Sequence, residues 1–429
     1  MHLQERLVQS DDGRGTVVKQ TSRRKTSARD RRETDAAIIW PVPDIPTSSA
    51  PWRVHIWMGS IALAAATAVS VWAAWGHVVE LGQDLQWSPA VLFLEGINPY
   101  AQYLAGNPDG RLILEQYPNY AHALYVLLTP LALLSFEQAR LIWAVLNQIA
   151  SVYLAWSLGR SAGLSARATV VLVLAFLCST PFRTGLANGQ MATFTMLAAN
   201  AIMRLPSPGA SLVVGLSYIK YSFAPPTAAW VWQRHGTAAF LWSVLPCTVG
   251  YLVFLLHVGG APIDVLTQPL AVSATAAYSG GSDLMALIHM TLNEPSEGAL
   301  LWPEYAVPLV LSLVAGVQIA RRVASPVWAL ALLSVTSLLC FRHLVYDQIA
   351  LLPAAACAGS RLHRTHGRVV LGLVAFQWYG IKMLHALVDY RPPEHVEVPI
   401  QLALGLVMWR ALWAGAQSPA AQEPDILRA

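Results

Sequence analysis

Apolar stretches separated by short polar loops recur along most of this chain. They run roughly over 54–78, 119–135, 140–158, 168–182, 189–203, 210–232, 238–257, 303–320, 324–341, 344–360, 369–388 and 398–415. Segments of about 20 apolar residues span a bilayer as helices, because lipid offers backbone N–H and C=O groups no partner and each segment must bond its own. The pattern predicts an all-α, polytopic helical membrane protein with about 10–12 transmembrane or re-entrant helices. Two segments are irregular. The stretch 119–135 is short for a span, and 210–232 contains Lys220 and the pair Pro225–Pro226. Proline removes a helix donor, so each is expected to be re-entrant or split into two short pieces. No internal repeat is visible. The expected organisation is a disordered basic tail (1–50), one membrane domain (51–416) with large loops at 80–118 and 258–302, and a second tail (417–429).

Composition supports this reading. The chain is 55% hydrophobic and 12% charged, against about 25% charged residues in soluble domains, too few to cover a water-facing surface. Trp and Tyr cluster near segment ends, as an interfacial belt requires. The run Lys19, Arg23, Arg24, Lys25, Arg29, Arg31 and Arg32 lacks hydrophobic periodicity. It reads as a cytoplasmic tail that helps orient the first helix, not as a nucleic-acid surface. Basic positions at 160–167, 204, 234–235, 321–322 and 361–368 also become cytoplasmic once the two irregular segments are allowed for. The loops 80–118, 183–189, 258–302, 341–347 and 390–397 then collect on the other face. The expected location is the inner (plasma) membrane, multi-pass, with chemistry on the extracytoplasmic side.

Several classes drop out. Cys178, Cys247, Cys340 and Cys357 lie in apolar segments and form no CxxC, so they read as small buried hydrophobes. The histidines form no HExxH, and no Gly-rich phosphate loop occurs. No cofactor or metal is expected.

The candidate chemistry lies in the outer loops. Asp84 follows the first apolar segment, and reads either as a general base at a partly desolvated edge or as a helix N-cap. Gly96-Ile97-Asn98-Pro99-Tyr100 has the form of a helix C-cap and rigid turn; Asn98 is a candidate substrate contact within a motif whose first role is to shape the loop. Tyr117, before Pro118, lines a cleft or sits in the aromatic belt. Gln190 follows the Asn188–Gly189 turn and opens an apolar helix, whose N-terminus suits an anion. Lys220 is the only charge between Arg204 and Arg234. A lysine within an apolar segment faces a cavity or a partner, or snorkels to the interface. Arg342 and His343 precede Tyr346 and Asp347, and His343 and Asp347 share a helix face at i, i+4. Asp347 would orient His343 or pair with Arg342. In the loop 258–302, Ser279-Gly280-Gly281-Ser282-Asp283 precedes an amphipathic piece containing His289, and loops of this length are often lids.

Asp84, Gly96-x-Asn98-Pro99-Tyr100, Tyr117-Pro118, Leu128-Thr129-Pro130-Leu131-Ala132 and Ala139-x-x-x-Trp143 form an ordered set. With Gly189-Gln190, Lys220 and His343 it resembles glycosyltransferase family 87 over roughly residues 55–390. The resemblance implies a GT-C type membrane fold. It also implies a polyprenyl-phosphate sugar donor, usually of mannose and in some members of arabinofuranose, with transfer on the outer face and no required metal. The family's catalytic base maps onto Asp84 and its late outer histidine onto His343. Two departures stand out: Asn119 follows Tyr117-Pro118 where many members have a second proline, and Arg342 precedes His343 where many have a histidine pair.

The expected function is therefore an inverting glycosyltransferase moving a sugar, mannose first, from a polyprenyl-phosphate donor to a glycolipid or glycan acceptor. Asp84 would act as base, His343, Arg342 and Lys220 would hold the donor phosphate, and Tyr117, Gln190, Asn98 and Asp347 would contact substrate. The partners are the donor, the acceptor and membrane lipids, with no nucleic acid. A transporter or lipid flippase without chemistry is the alternative; it calls for midplane charges and a repeat relating two halves. A non-catalytic membrane scaffold leaves the outer polar clusters unexplained.

Overall fold

The computed structural model describes residues 50–80, 85–113, 116, 118–275, 283–292, 302–381, 383, 387 and 394–417. Most of the basic tail and most of the C-terminal tail lie outside them, as do residues 276–282 and 293–301 of the second large loop. The described residues from Met58 onward belong to one compact unit, and residues 50–57 fall outside it. The candidate site lies wholly within that unit.

The described residues are helical, as the apolar pattern predicts. Along the chain come α1 (Ala50–Glu80), α2 (Trp87–Leu94), α3 (Pro99–Leu104), α4 (Ala123–Ala132), α5 (Phe136–Ser161), α6 (Ala166–Cys178), α7 (Thr180–Ala187) and α8 (Ala192–Ala199). They are followed by α9 (Pro208–Leu216), α10 (Ala224–Val258), α11 (Pro262–Thr275), α12 (Leu284–Leu292), α13 (Trp302–Arg322), α14 (Pro326–Cys340), α15 (Leu352–Gly359), α16 (Thr365–Ala375) and α17 (Glu394–Ala416).

Among the described residues four helices are long and apolar enough to cross a membrane: Met58–Glu80 of α1, α5, α10, and Val396–Ala416 of α17. A fifth is counted if α6 and α7, bent by 57°, form one span. Their outer faces are apolar and bare: Trp72 is 83% exposed and Leu256 85%, a surface that lipid covers and water does not. The protein is a multi-pass membrane protein.

The span count is lower than the number of apolar segments because many segments are broken into pieces. The 119–135 stretch yields only the ten-residue α4. The 210–232 stretch is split: α9 runs into a 3-10 turn at Ser217–Ile219, and the helix resumes as α10 at Ala224. The stretch 344–360 becomes a 3-10 turn (Val345–Leu351) followed by α15, which has a proline in its first turn. Arg234 and His235, which the hydropathy pattern places in a loop, stand at the end of the first of two helices that α10 joins across a kink. There the helical course is interrupted only at Gly236 (φ 81°, ψ 179°), a backbone state open to glycine at little cost.

Capping explains several helix starts. Ser135 accepts from the Gln138 N–H while the Gln138 side chain reaches back, a full capping box at α5. Ser165, Ser179 and Ser207 cap α6, α7 and α9 in the same sense. Helix α14 is buried on every side from Val327 to Ser337, which marks it as the central helix of the main apolar core. Its end at Cys340 and the break between α9 and α10 are the two interruptions that matter for function.

Candidate active site

The two breaks carry the chain's two polar clusters, and the fold brings them together. Lys220 follows the 3-10 turn after α9 with its backbone extended (φ −94°, ψ 93°). The ladder that would have buried its side chain among helix neighbours stops there. Beyond α14 the chain is extended at Phe341 and Leu344 before turning into the 3-10 turn that holds Asp347.

The Lys220 ammonium donates to Asp347 Oδ1. The other carboxylate oxygen accepts from the Leu344 N–H at 3.1 Å and lies 3.3 Å from His343 Nδ1. His343 Nε2 is 3.1 Å from the Ser337 carbonyl oxygen and 3.2 Å from Ser337 Oγ. That hydroxyl donates its own hydrogen to the Ser222 carbonyl. Both ring nitrogens therefore lie within hydrogen-bond distance of oxygen atoms. Lys220 and His343 flank one buried carboxylate, and Arg342 precedes His343 in the chain. The cluster thus has more positive than negative charge, which favours an anion.

Lys220, Arg342 and Asp347 line a cavity of about 520 Å³. The Lys220 ammonium also lies over the rings of Tyr346 (5.4 Å) and Tyr120 (6.0 Å), within the range of cation–π attraction. Ser222 Oγ, buried on the same wall, has no hydrogen-bond partner among the described residues. The rest of the wall is mostly apolar: Pro225 of α10, Leu270 of α11, Met285 of α12, Ala306 and Leu309 of α13, and Phe341. A charged patch in an otherwise oily chamber suits an anion attached to an apolar group.

The other expected residues are placed differently. Gln190 is buried and does not line the cavity. Its side-chain oxygen accepts from the Tyr120 hydroxyl at 3.3 Å and its backbone carbonyl from Asn147 at 3.2 Å, so it stands behind Tyr120. Asn98 caps α3, accepting from the Tyr100 and Ala101 N–H groups and donating to Gln268. Tyr100, fully buried, donates to the Tyr120 carbonyl at 2.7 Å. The Gly-Ile-Asn-Pro-Tyr turn thus reaches the site through the backbone of Tyr120. Asp84 and Tyr117 lie outside the described residues. Leu85, next to Asp84, is buried in the cluster that holds Tyr100 and Tyr125.

Tyr120, Tyr221, Tyr305 and Ser273 also line the cavity, and sequence reasoning missed them. Tyrosines at segment ends look alike whether they face headgroups or a chamber. Tyr120 alone had a signal, through its position two residues after the Tyr117-Pro118 motif.

The model of glycosyltransferase family 87 matches residues 120–342, inside the stretch of roughly 55–390 over which the resemblance runs. No curated protein and no solved structure matches the chain. The family match takes in Tyr120, Lys220 and Arg342 and stops one residue before His343. It covers more than half of the 429 residues, and it frames the charged wall of a chamber within a helical membrane protein: this chain belongs to glycosyltransferase family 87.

Proposed function

We propose that the protein transfers a sugar, mannose as the first candidate, from a polyprenyl-phosphate donor to a glycolipid or glycan acceptor at the extracytoplasmic face of the plasma membrane, with inversion at the anomeric carbon. The observation that carries the donor class is the cavity itself, where Lys220 and Arg342 open onto a mostly apolar wall. A polyprenyl chain fits the apolar wall, and its phosphate fits the cations.

In this reading Asp84 takes the proton of the attacking acceptor hydroxyl. The new bond forms between that oxygen and the anomeric carbon as the bond from carbon to phosphate oxygen breaks. Lys220 and Arg342, which line the cavity, stabilise the charge that gathers on the departing polyprenyl phosphate, and His343, expected to join them, supports them from behind through Asp347. They are held in place before reaction, in a setting that excludes most water, which makes them more effective than the same charges in solution. Asp347 keeps Lys220 and His343 in position. Tyr117, Gln190 and Asn98 complete the substrate surroundings, Gln190 through Tyr120 and Asn98 through the loop it caps.

The test uses the purified full chain in lipid nanodiscs with radiolabelled polyprenyl-phosphate mannose, glucose and arabinofuranose, and a glycolipid extract as acceptor. Release of polyprenyl phosphate with matching label in the acceptor is expected for one donor, and Asp84→Ala should abolish it while the helical circular-dichroism spectrum stays unchanged. No release from any donor would refute the donor class. Full activity of Asp84→Ala would refute the base.

A further inference from the structure

A second cavity, of about 340 Å³, lies across the Arg342–Leu344 segment from the first. Arg342 lines the first, His343 the second and Leu344 both. In extended backbone successive side chains leave on opposite faces, so this short segment lies between two chambers that adjoin at Leu344. The rest of the second lining comes from α14, the 3-10 turn at 345–351, the π turn at 376–380 and α17, together with Thr180 and Asp283.

Its chemistry differs from that of the first. Two buried acceptor atoms on its lining residues lack partners among the described residues: Asp283 Oδ2 and Gln348 Oε1. Asp283 is 1% exposed, and its other oxygen accepts from the Ala286 N–H at 3.0 Å. Burial pushes its carboxyl above the usual range, opposed by that N–H, by the charges of His343 and Arg342 and, more weakly, by the His343 backbone N–H. Gln348 donates to Gln377 at 3.1 Å and Gln401 donates to Glu397 at 2.9 Å, which fixes four polar side chains around the chamber. Leu338, Leu339 and Met408 supply apolar surface between them.

Buried acceptors without partners are costly and call for a ligand that donates. The carboxylates of Asp283 and Glu397 disfavour a phosphate. The volume is at the small end of ligand sites, too small for a long lipid tail. Several hydroxyl donors on a ring with apolar faces meet all of these demands. We propose that the second cavity is a saccharide subsite that receives the neutral sugar headgroup of the acceptor, with hydroxyls donating to Asp283 and Gln348. This rests on the transferase reading, which places the donor phosphate on the other side of His343. Most of the polar lining (His343, Gln348, Gln377, Glu397 and Gln401) falls after the last residue of the family match, so acceptor choice would be a property of this chain's C-terminal part.

The experiment labels the full chain in nanodiscs with octyl glucoside, galactoside and mannoside, each carrying a diazirine on the sugar, and maps adducts by mass spectrometry. Donor release is measured on the same preparation. Saturable adducts are expected within 335–351 and 397–408, competed by the matching methyl hexoside and not by free polyprenyl phosphate. Asp283→Asn and Gln348→Leu should each weaken labelling about tenfold, the loss of one hydrogen bond to a buried acceptor. If Asp283→Asn does not fold, Gln401→Leu on α17 takes its place. Absence of saturable labelling, adducts confined to the first cavity, or wild-type affinity in the variants overturns the proposal. Donor release with adducts elsewhere rejects the subsite and leaves the transferase reading standing. Saturable labelling of this chamber without donor release supports the subsite and removes the polyprenyl-phosphate donor.

Discussion

Lys220 and Asp347, 127 positions apart in the chain, form a buried ion pair. Their side chains are 13% and 3% exposed, so the carboxylate is buried while the ammonium keeps a small opening to the cavity. Each sits where a helix has been interrupted, and the same interruptions open the cavity beside them. The pair is therefore both a clamp between two broken segments and part of the charged wall.

Removing one member of this pair should destabilise the protein far more than removing both. Loss of one partner of a buried pair costs roughly 3–5 kcal/mol, because the survivor stays buried and uncompensated. Lys220→Met and Asp347→Leu are each expected to lower the thermal midpoint in nanodiscs, and the double variant carrying both to recover most of it. Transfer activity should stay lost in all three. A double variant as unstable as the singles would show that the pair has no such coupling.

Tyr120 separates two roles that one side chain combines. Its ring lies near the Lys220 ammonium and its hydroxyl donates to Gln190. Tyr120→Phe keeps the ring and should change donor KM little, whereas Tyr120→Leu removes a contact of about 0.5–2 kcal/mol and should raise KM severalfold. Equal effects from both variants would assign the role to the hydroxyl.

Asn98 offers a test of scaffold against substrate contact. It caps α3 through two backbone N–H groups, and losing such a cap costs about 1 kcal/mol. Asn98→Ala is expected to lower the thermal midpoint by a few degrees, and Asn98→Asp, which still caps, to restore it. Donor and acceptor KM should follow the cap. A KM defect that persists in Asn98→Asp at wild-type stability would instead place Asn98 on the substrate.

Gly215 is set by close packing between α9 and α10. A β-carbon there would fall 1.9 Å from the Ser243 carbonyl oxygen, so the helices would have to separate, at about 1–3 kcal/mol. Gly215→Ala should lower both stability and transfer, since Lys220 follows this helix. Gly209→Ala in the same helix meets nothing within 4 Å and should be neutral or slightly stabilising. Matching midpoints for the two variants would refute the packing argument.

Helical class and membrane location were legible in the sequence because both follow from local composition. A long apolar run must bond its own backbone in lipid, whatever its neighbours do. The interruption of 210–232 was legible too, since Lys220 and the proline pair announce it. Of the candidate residues, Lys220, Arg342, His343 and Asp347 could be picked out by type alone, because charge is conspicuous in an apolar chain. Only one of their pairings could. The i, i+4 spacing pointed to His343 with Asp347, and that contact exists at 3.3 Å. The pairing of Asp347 with Lys220 depends on how α9, α10 and α14 pack, as does the place of Tyr120 beneath them.

Hydropathy alone thus determined what kind of solvent this chain needs and where its unusual charges fall. The tertiary structure decided which of those charges meet, and that Asn98 caps a helix. It also decided that Arg342 and its neighbour His343 line different chambers. The physical reason is range. Burial and backbone satisfaction act on each segment by itself, whereas an ion pair or a cavity wall needs residues whose proximity no local rule encodes.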